Sequence, residues 1–140
     1  MFEKYKYDHV AVKEIWTFYV KYQEILNKFS EDIGISSRIL GNYDESKEID
    51  LHLKLIESYM ATMMYLIVSI GNFRKKDYIE YIFDICKERQ LKLNHSLESI
   101  SGFEEIIISD PLKMNISEMM KSTAEFLKNL QNFFYKLGMR

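Results

Sequence analysis

One cysteine, one proline and five glycines in 140 residues leave little material for turns and none for a disulfide framework. Cys86 has no second cysteine to pair with, so nothing in the chain calls for an oxidising compartment. The opening Met-Phe-Glu-Lys-Tyr-Lys-Tyr lacks the apolar run of a signal peptide, and the expected location is the cytoplasm. A surplus of one charge is missing too. The formal net charge is -2 and both halves of the chain are mixed in sign, which does not fit a dedicated reader of polyanions. The longest uncharged stretch, 58–73, falls short of the roughly 18 to 20 apolar residues of a bilayer span and holds Thr62, Ser69 and Asn72, so no membrane span is expected. The glycines stand singly, and no phosphate-cradling loop or other pattern calls for a cofactor.

What is present is apolar residue at helical spacing. Hydrophobic residues make up 47% of the chain and charged residues 29%, enough for one fully folded domain over 1–140. Val12, Ile15, Tyr19, Tyr22, Leu26, Phe29 and Ile33 step by three and four, and predict a first helix over about 8–33 with Asp8 at its start and Gly34 at its end. Ile49, Leu53, Ile56, Met60, Met63, Ile67 and Ile70 predict a second over 46–70, apolar on all sides from Tyr59 onward. Ile79, Ile82, Cys86, Leu93, Leu97 and Ile100 predict a third over 74–100, with Arg89 interrupting the seam and bound either to reach a carboxylate or to extend its head to water. Ile116, Met119, Thr123, Phe126, Leu130, Phe133 and Leu137 predict a fourth over 115–137. Asp110-Pro111 and Asn115 with Glu118 are alternative starts for it, and Ile106 to Ile108 reads as a short strand or a helical turn.

Four seams of similar length joined by short connections predict an all-α, antiparallel up-and-down four-helix bundle. A competing architecture comes from an echo every thirty residues: Leu40-Gly-Asn-Tyr43, Ile70-Gly-Asn-Phe73 and Ile100-Ser-Gly-Phe103. Read as repeated helical hairpins, it would give an open peptide receptor with a concave groove.

Polar chemistry is sparse. Glu48 with His52, and His95 with Glu98, have helical spacing but lack the Glu-x-x-His order of carboxylate-bridged metal sites, so no metal is expected. Cys86 lies on an apolar seam, away from the electropositive setting of a nucleophile. Lys4 and Lys6 alternating with Tyr5 and Tyr7, and the run Arg74-Lys75-Lys76, leave nucleic-acid binding as a minor option. One spacing has a catalytic counterpart: Arg89 is followed after five residues by His95. It resembles the Arg-x(4 to 6)-His motif of HEPN-domain ribonucleases, helical bundles of similar size that dimerise so that two motifs form an RNA-cleaving site. That resemblance implies His95 as the acid–base residue and Arg89 as the group stabilising the phosphate in the transition state. It covers these two positions, and Gln90 stands where the family carries Asn, Asp or His.

The leading expectation is not catalytic. Met60, Met63, Met64, Ile67, Met119, Met120, Phe126, Phe133 and Phe134 supply more apolar surface than one stripe per helix requires. They are expected to form an interface of a homo-oligomer or of a complex with another protein. The ten tyrosines point the same way, because a phenol suits surfaces that are partly apolar and partly wet. The chain is thus expected to be a non-enzymatic helical interaction module, a regulator, inhibitor or assembly subunit. A HEPN-like ribonuclease is the alternative, and a helical-repeat peptide receptor the third.

Overall fold

The structure, a computed structural model, describes residues 9–40, 43–71, 75–103 and 110–139. They form four helices: α1 (His9–Leu40), α2 (Tyr43–Ile70), α3 (Lys76–Ser101) and α4 (Asp110–Lys136), with no strand among the described residues. Asp8, Lys4 and Lys6, Arg74 and the run Ile106 to Ile108 lie outside that range, so the roles expected of them concern residues not described.

The expected four-helix bundle is what the chain forms. Every residue assigned to the four apolar seams is buried, from Val12 on α1 to Leu137 just past α4. α1 packs on α2 and α4, α2 packs on α3, and α3 meets α4 only lightly. Each neighbouring pair runs antiparallel. Ser30 near the end of α1 donates to Asp50 Oδ1 near the start of α2 at 3.0 Å. Ser69 at the end of α2 lies 2.8 Å from the Tyr78 hydroxyl at the start of α3. Asn115 Nδ2 at the start of α4 donates to Asp32 Oδ2 on the later part of α1 at 2.8 Å.

The first and last helices therefore close a ring, which an open stack of hairpins would not do. The helical-repeat reading is corrected accordingly. The thirty-residue echo has a simpler cause, since Leu40 ends α1, Ile70 ends α2 and Ile100 is the penultimate residue of α3. A recurring stop signal, not a recurring hairpin, produced the period.

Three boundaries move by three residues or more, the first being the start of α2, which lies at Tyr43 and not at 46. α1 passes through Gly34 to Leu40, because a lone helical glycine costs only about 1 kcal/mol and Gly34 sits on the exposed side with nothing near its missing side chain. α4 begins at Asp110, where Pro111 fits the first turn, while Asn115 is buried inside the helix and bonded to Asp32 instead of capping a start. Its far end closes in a Schellman motif. Gly138 takes φ 86°, its N–H bonds the Tyr135 carbonyl at 2.9 Å, and the Met139 N–H bonds the Phe134 carbonyl at 2.9 Å. That turn folds Met139 back toward Phe134.

α2 is the innermost element by composition. From Ser46 to Ile70 it reaches a mean hydropathy of 1.4 over its most apolar window, so by length and composition alone it meets the requirement for crossing a membrane. In the bundle, all seven of its seam residues and Met64 are buried against the other helices.

A polar chain is sealed between α1 and α4. Thr123 Oγ1 donates its one proton to the Met119 carbonyl at 2.8 Å, so the buried Tyr22 hydroxyl donates to Thr123. Tyr22→Phe leaves Thr123 its other bond and should cost about 1 kcal/mol, whereas Thr123→Val strands a buried phenol and should cost about 2 kcal/mol. The double variant should lose measurably less than the two single losses combined in urea unfolding; strict additivity would show that the two hydroxyls are not coupled.

Candidate interaction surfaces

Eight of the nine residues expected at an interface are committed to the core. Met60, Met63, Met64, Ile67, Met119, Phe126, Phe133 and Phe134 are all buried within the single chain, and only Met120, 41% exposed, reaches solvent. The surplus read from the sequence is absorbed because α2 is covered on both flanks, by α1 and α3, while α4 closes against α1. Val10, Ile35, Leu51, Tyr81, Leu91 and Met114 are exposed at scattered positions, while apolar residues gather at two other places.

The first is the outer edge of the α1–α2 seam. At about 100° per residue, Trp16 and Val20 flank the side of α1 that carries Tyr19 and Ser30, and Ala61, Tyr65 and Val68 flank the side of α2 that carries Asp50 and Glu57. The register set by Ser30 on Asp50 brings Trp16 level with the turn of α2 around Ala61 to Tyr65. Trp16 is 48% exposed and Tyr65 77%, with Val20 and Val68 also open. Trp16 is held from behind, its ring meeting buried Tyr19 edge-on at 5.5 Å between centroids. The Tyr19 hydroxyl accepts from Gln23 Nε2 at 3.0 Å; burial raises its pKa first and nearby Glu57 second, so Tyr19 stays neutral behind the tryptophan. From Ser58 to Ile70 α2 carries no charge, so the face bearing Ala61, Tyr65 and Val68 is neutral.

The second is a groove of about 630 Å³ between α3 and α4. Its floor is Phe83, Leu127, Phe134 and Met139, with the Phe83 and Phe134 rings edge-to-face at 5.1 Å. Lys87 and Gln90 form one bank, and Ala124, Lys128, Gln131 and Tyr135 the other. The sequence explains the opening. After Phe83, the row of α3 facing α4 continues with Lys87, Gln90 and Asn94, so long polar side chains hold the helices apart where an apolar row would zip them together.

The polar candidates do not gather. Arg89 Nη1 is 3.5 Å from Glu88 Oε1, and Lys92 Nζ is 3.2 Å from the same oxygen, so Arg89 reaches a carboxylate at the surface edge of its seam. His95 is exposed, and its backbone carbonyl accepts from Ser99 Oγ at 3.1 Å. Six residues apart on one helix, Arg89 and His95 point about 120° away from each other. His52 has its Nδ1 buried without a partner, while Glu48 stays exposed. Among the described residues no group of three or more His, Cys, Asp or Glu comes together.

No family model matches the chain, and no solved structure does. Over 131 residues, 91% of the chain, it is 25% identical to a protein described as deoxyribose-phosphate aldolase from Mycoplasmopsis synoviae (strain 53). The match covers 56% of that protein, so the chain spans little more than half the length of the curated relative. That distance does not place the chain in the aldolase's family. The α3–α4 groove has two lysines but no carboxylate or imidazole among its lining residues to serve beside them as a proton acceptor.

Cys86 is fully buried, and burial pushes its thiol from 9.0 up to about 12. Burial likewise raises the Tyr22 phenol above its ordinary 10.0. Both groups ionise more easily in the unfolded chain. Their contribution is therefore intact below pH 9 and is lost progressively as pH rises from 9 toward 12. A soluble disulfide reagent at pH 8 should label Cys86 only after urea unfolds the protein, and the thermal midpoint should fall steadily above pH 9. Rapid stoichiometric labelling of the native protein would contradict this placement.

Proposed function

We propose that the chain is a non-enzymatic helical interaction module, a regulator, inhibitor or assembly subunit, that self-associates through the outer edge of α1 and α2. The observation that carries this is the half-exposed, pre-positioned Trp16 beside the uncharged face bearing Tyr65 and Val68. Tryptophan and tyrosine are among the residue types that dominate binding energy at interfaces. A two-fold pairing would set the same patch against itself, with the Trp16 of each copy meeting the Tyr65 turn of the other. The scatter of the polar candidates supports an interaction role over catalysis, because Arg89 and His95 face different ways on α3 and no group of three or more His, Cys, Asp or Glu comes together among the described residues. Cytoplasmic residence belongs to the same proposal and is supported by a lone buried thiol with no disulfide partner in the sequence.

Light scattering across micromolar concentrations tests it. The expected mass is twice the 16.8 kDa of the chain. Trp16→Glu with Tyr65→Glu should return the monomer with unchanged helicity, weakening association on the order of a thousandfold if each anchor carries the ~2 kcal/mol of a central hot spot. A wild-type protein that stays monomeric throughout, or a double variant that remains dimeric, would overturn the assignment.

A further inference from the structure

The α3–α4 groove has features that the self-association face lacks, and they specify an occupant. Its floor is aromatic and aliphatic, and its two charged lining residues, Lys87 and Lys128, are both cationic. The antiparallel register that sets Phe83 against Phe134 brings Lys87 and Lys128 to facing banks near the middle of the groove. Lys87 Nζ lies 4.5 Å from the centre of the Phe83 ring, which holds its charge over the apolar floor. Gln90 and Gln131 add neutral donors and acceptors on either side. At one end the Gly138 turn brings Met139 in as a stop.

We propose that this groove binds an amphipathic helix of a partner protein, with an apolar stripe on the Phe83, Leu127 and Phe134 floor and acidic side chains beside Lys87 and Lys128. Dimensions and charge both favour that occupant. The α4 bank from Ala124 to Tyr135 is about 16 Å long at 1.5 Å per residue, the length of three helical turns. α3 and α4 lie side by side with only light contact, so an added helix would rest in the furrow between them as a fifth bundle member. The groove is partly open to solvent, with Lys87, Lys128 and Tyr135 exposed at its banks, and a helix would turn its polar side outward there. A basic helix would set like charges against both lysines. The groove lies between α3 and α4, away from the α1–α2 edge, so this binding is independent of the self-association reading.

The test uses the full chain and three fluorescent synthetic helical 14-residue peptides sharing one leucine stripe at i, i+3, i+4 and i+7. Their flanks carry Glu, Gln or Lys. The Glu peptide should bind saturably and at least tenfold more tightly than the Gln peptide, and the Lys peptide more weakly still. Lys87→Glu with Lys128→Glu, confirmed as folded by circular dichroism, should lose at least tenfold for the Glu peptide and come to prefer the Lys peptide. Trp16→Glu with Tyr65→Glu should leave peptide affinity unchanged, which separates failure here from failure of the self-association reading. The proposal is overturned by absence of saturable binding, by equal affinity for the three peptides, by indifference to the Lys87 and Lys128 reversal, or by decanoate binding the groove with no displacement by the Glu peptide.

Discussion

The structure depends on the need to hide α2. Between Tyr59 and Ile70 this helix has apolar residues facing nearly every direction, and fully burying a Leu, Ile or Met side chain is worth about 1.5–3 kcal/mol each. One neighbour could cover only one stripe of such a helix. α1 and α3 therefore take its two flanks, and α4 closes on α1 to complete the ring. Met60, Met63 and Met64 lie in that interior, where flexible thioethers fill irregular gaps between helices that do not match perfectly.

Polar contacts then choose one register among the several that apolar seams alone would permit. Three of the four seams have a side-chain pair that ties one helix to the next: Ser30 with Asp50, Ser69 with Tyr78, and Tyr22 with Thr123 aided by Asn115 with Asp32. Tyr22 and Thr123 are both buried, so a one-turn slip between α1 and α4 would leave the Tyr22 phenol unpaired in the core. The α3–α4 seam relies instead on the edge-to-face packing of Phe83 on Phe134, and it is the seam that opens. The same economy explains both surfaces: residues needed to close three seams are unavailable to binding, and the fourth seam and the outer α1–α2 edge remain.

Much of the fold was legible because heptad spacing reports directly on burial. Each seam residue from Val12 to Leu137 was placed by step length alone, and each is buried. Boundaries were harder, since Gly34 resembles a stop until it is known that its exposed position makes no steric demand, and Asn115 resembles a cap until Asp32 is seen beside it. Eight of the nine residues expected at an interface are buried for a related reason. Met63 and Phe126 show in sequence as surplus apolar residues, but whether a surplus is exposed depends on how many neighbours a helix acquires, which is a property of packing. Trp16 and Val20 lie beside the first seam, and their exposure follows from the same helical geometry that buries Tyr19.

Trp16 is the chain's one tryptophan, so it reports on the α1–α2 edge without a label. The most direct measurement is acrylamide quenching of its fluorescence as protein concentration is raised. The account predicts that quenching falls and the emission maximum moves to shorter wavelength as copies associate and cover the ring. Quenching that stays constant while scattering reports a growing mass would place the interface elsewhere and contradict the role assigned to this edge.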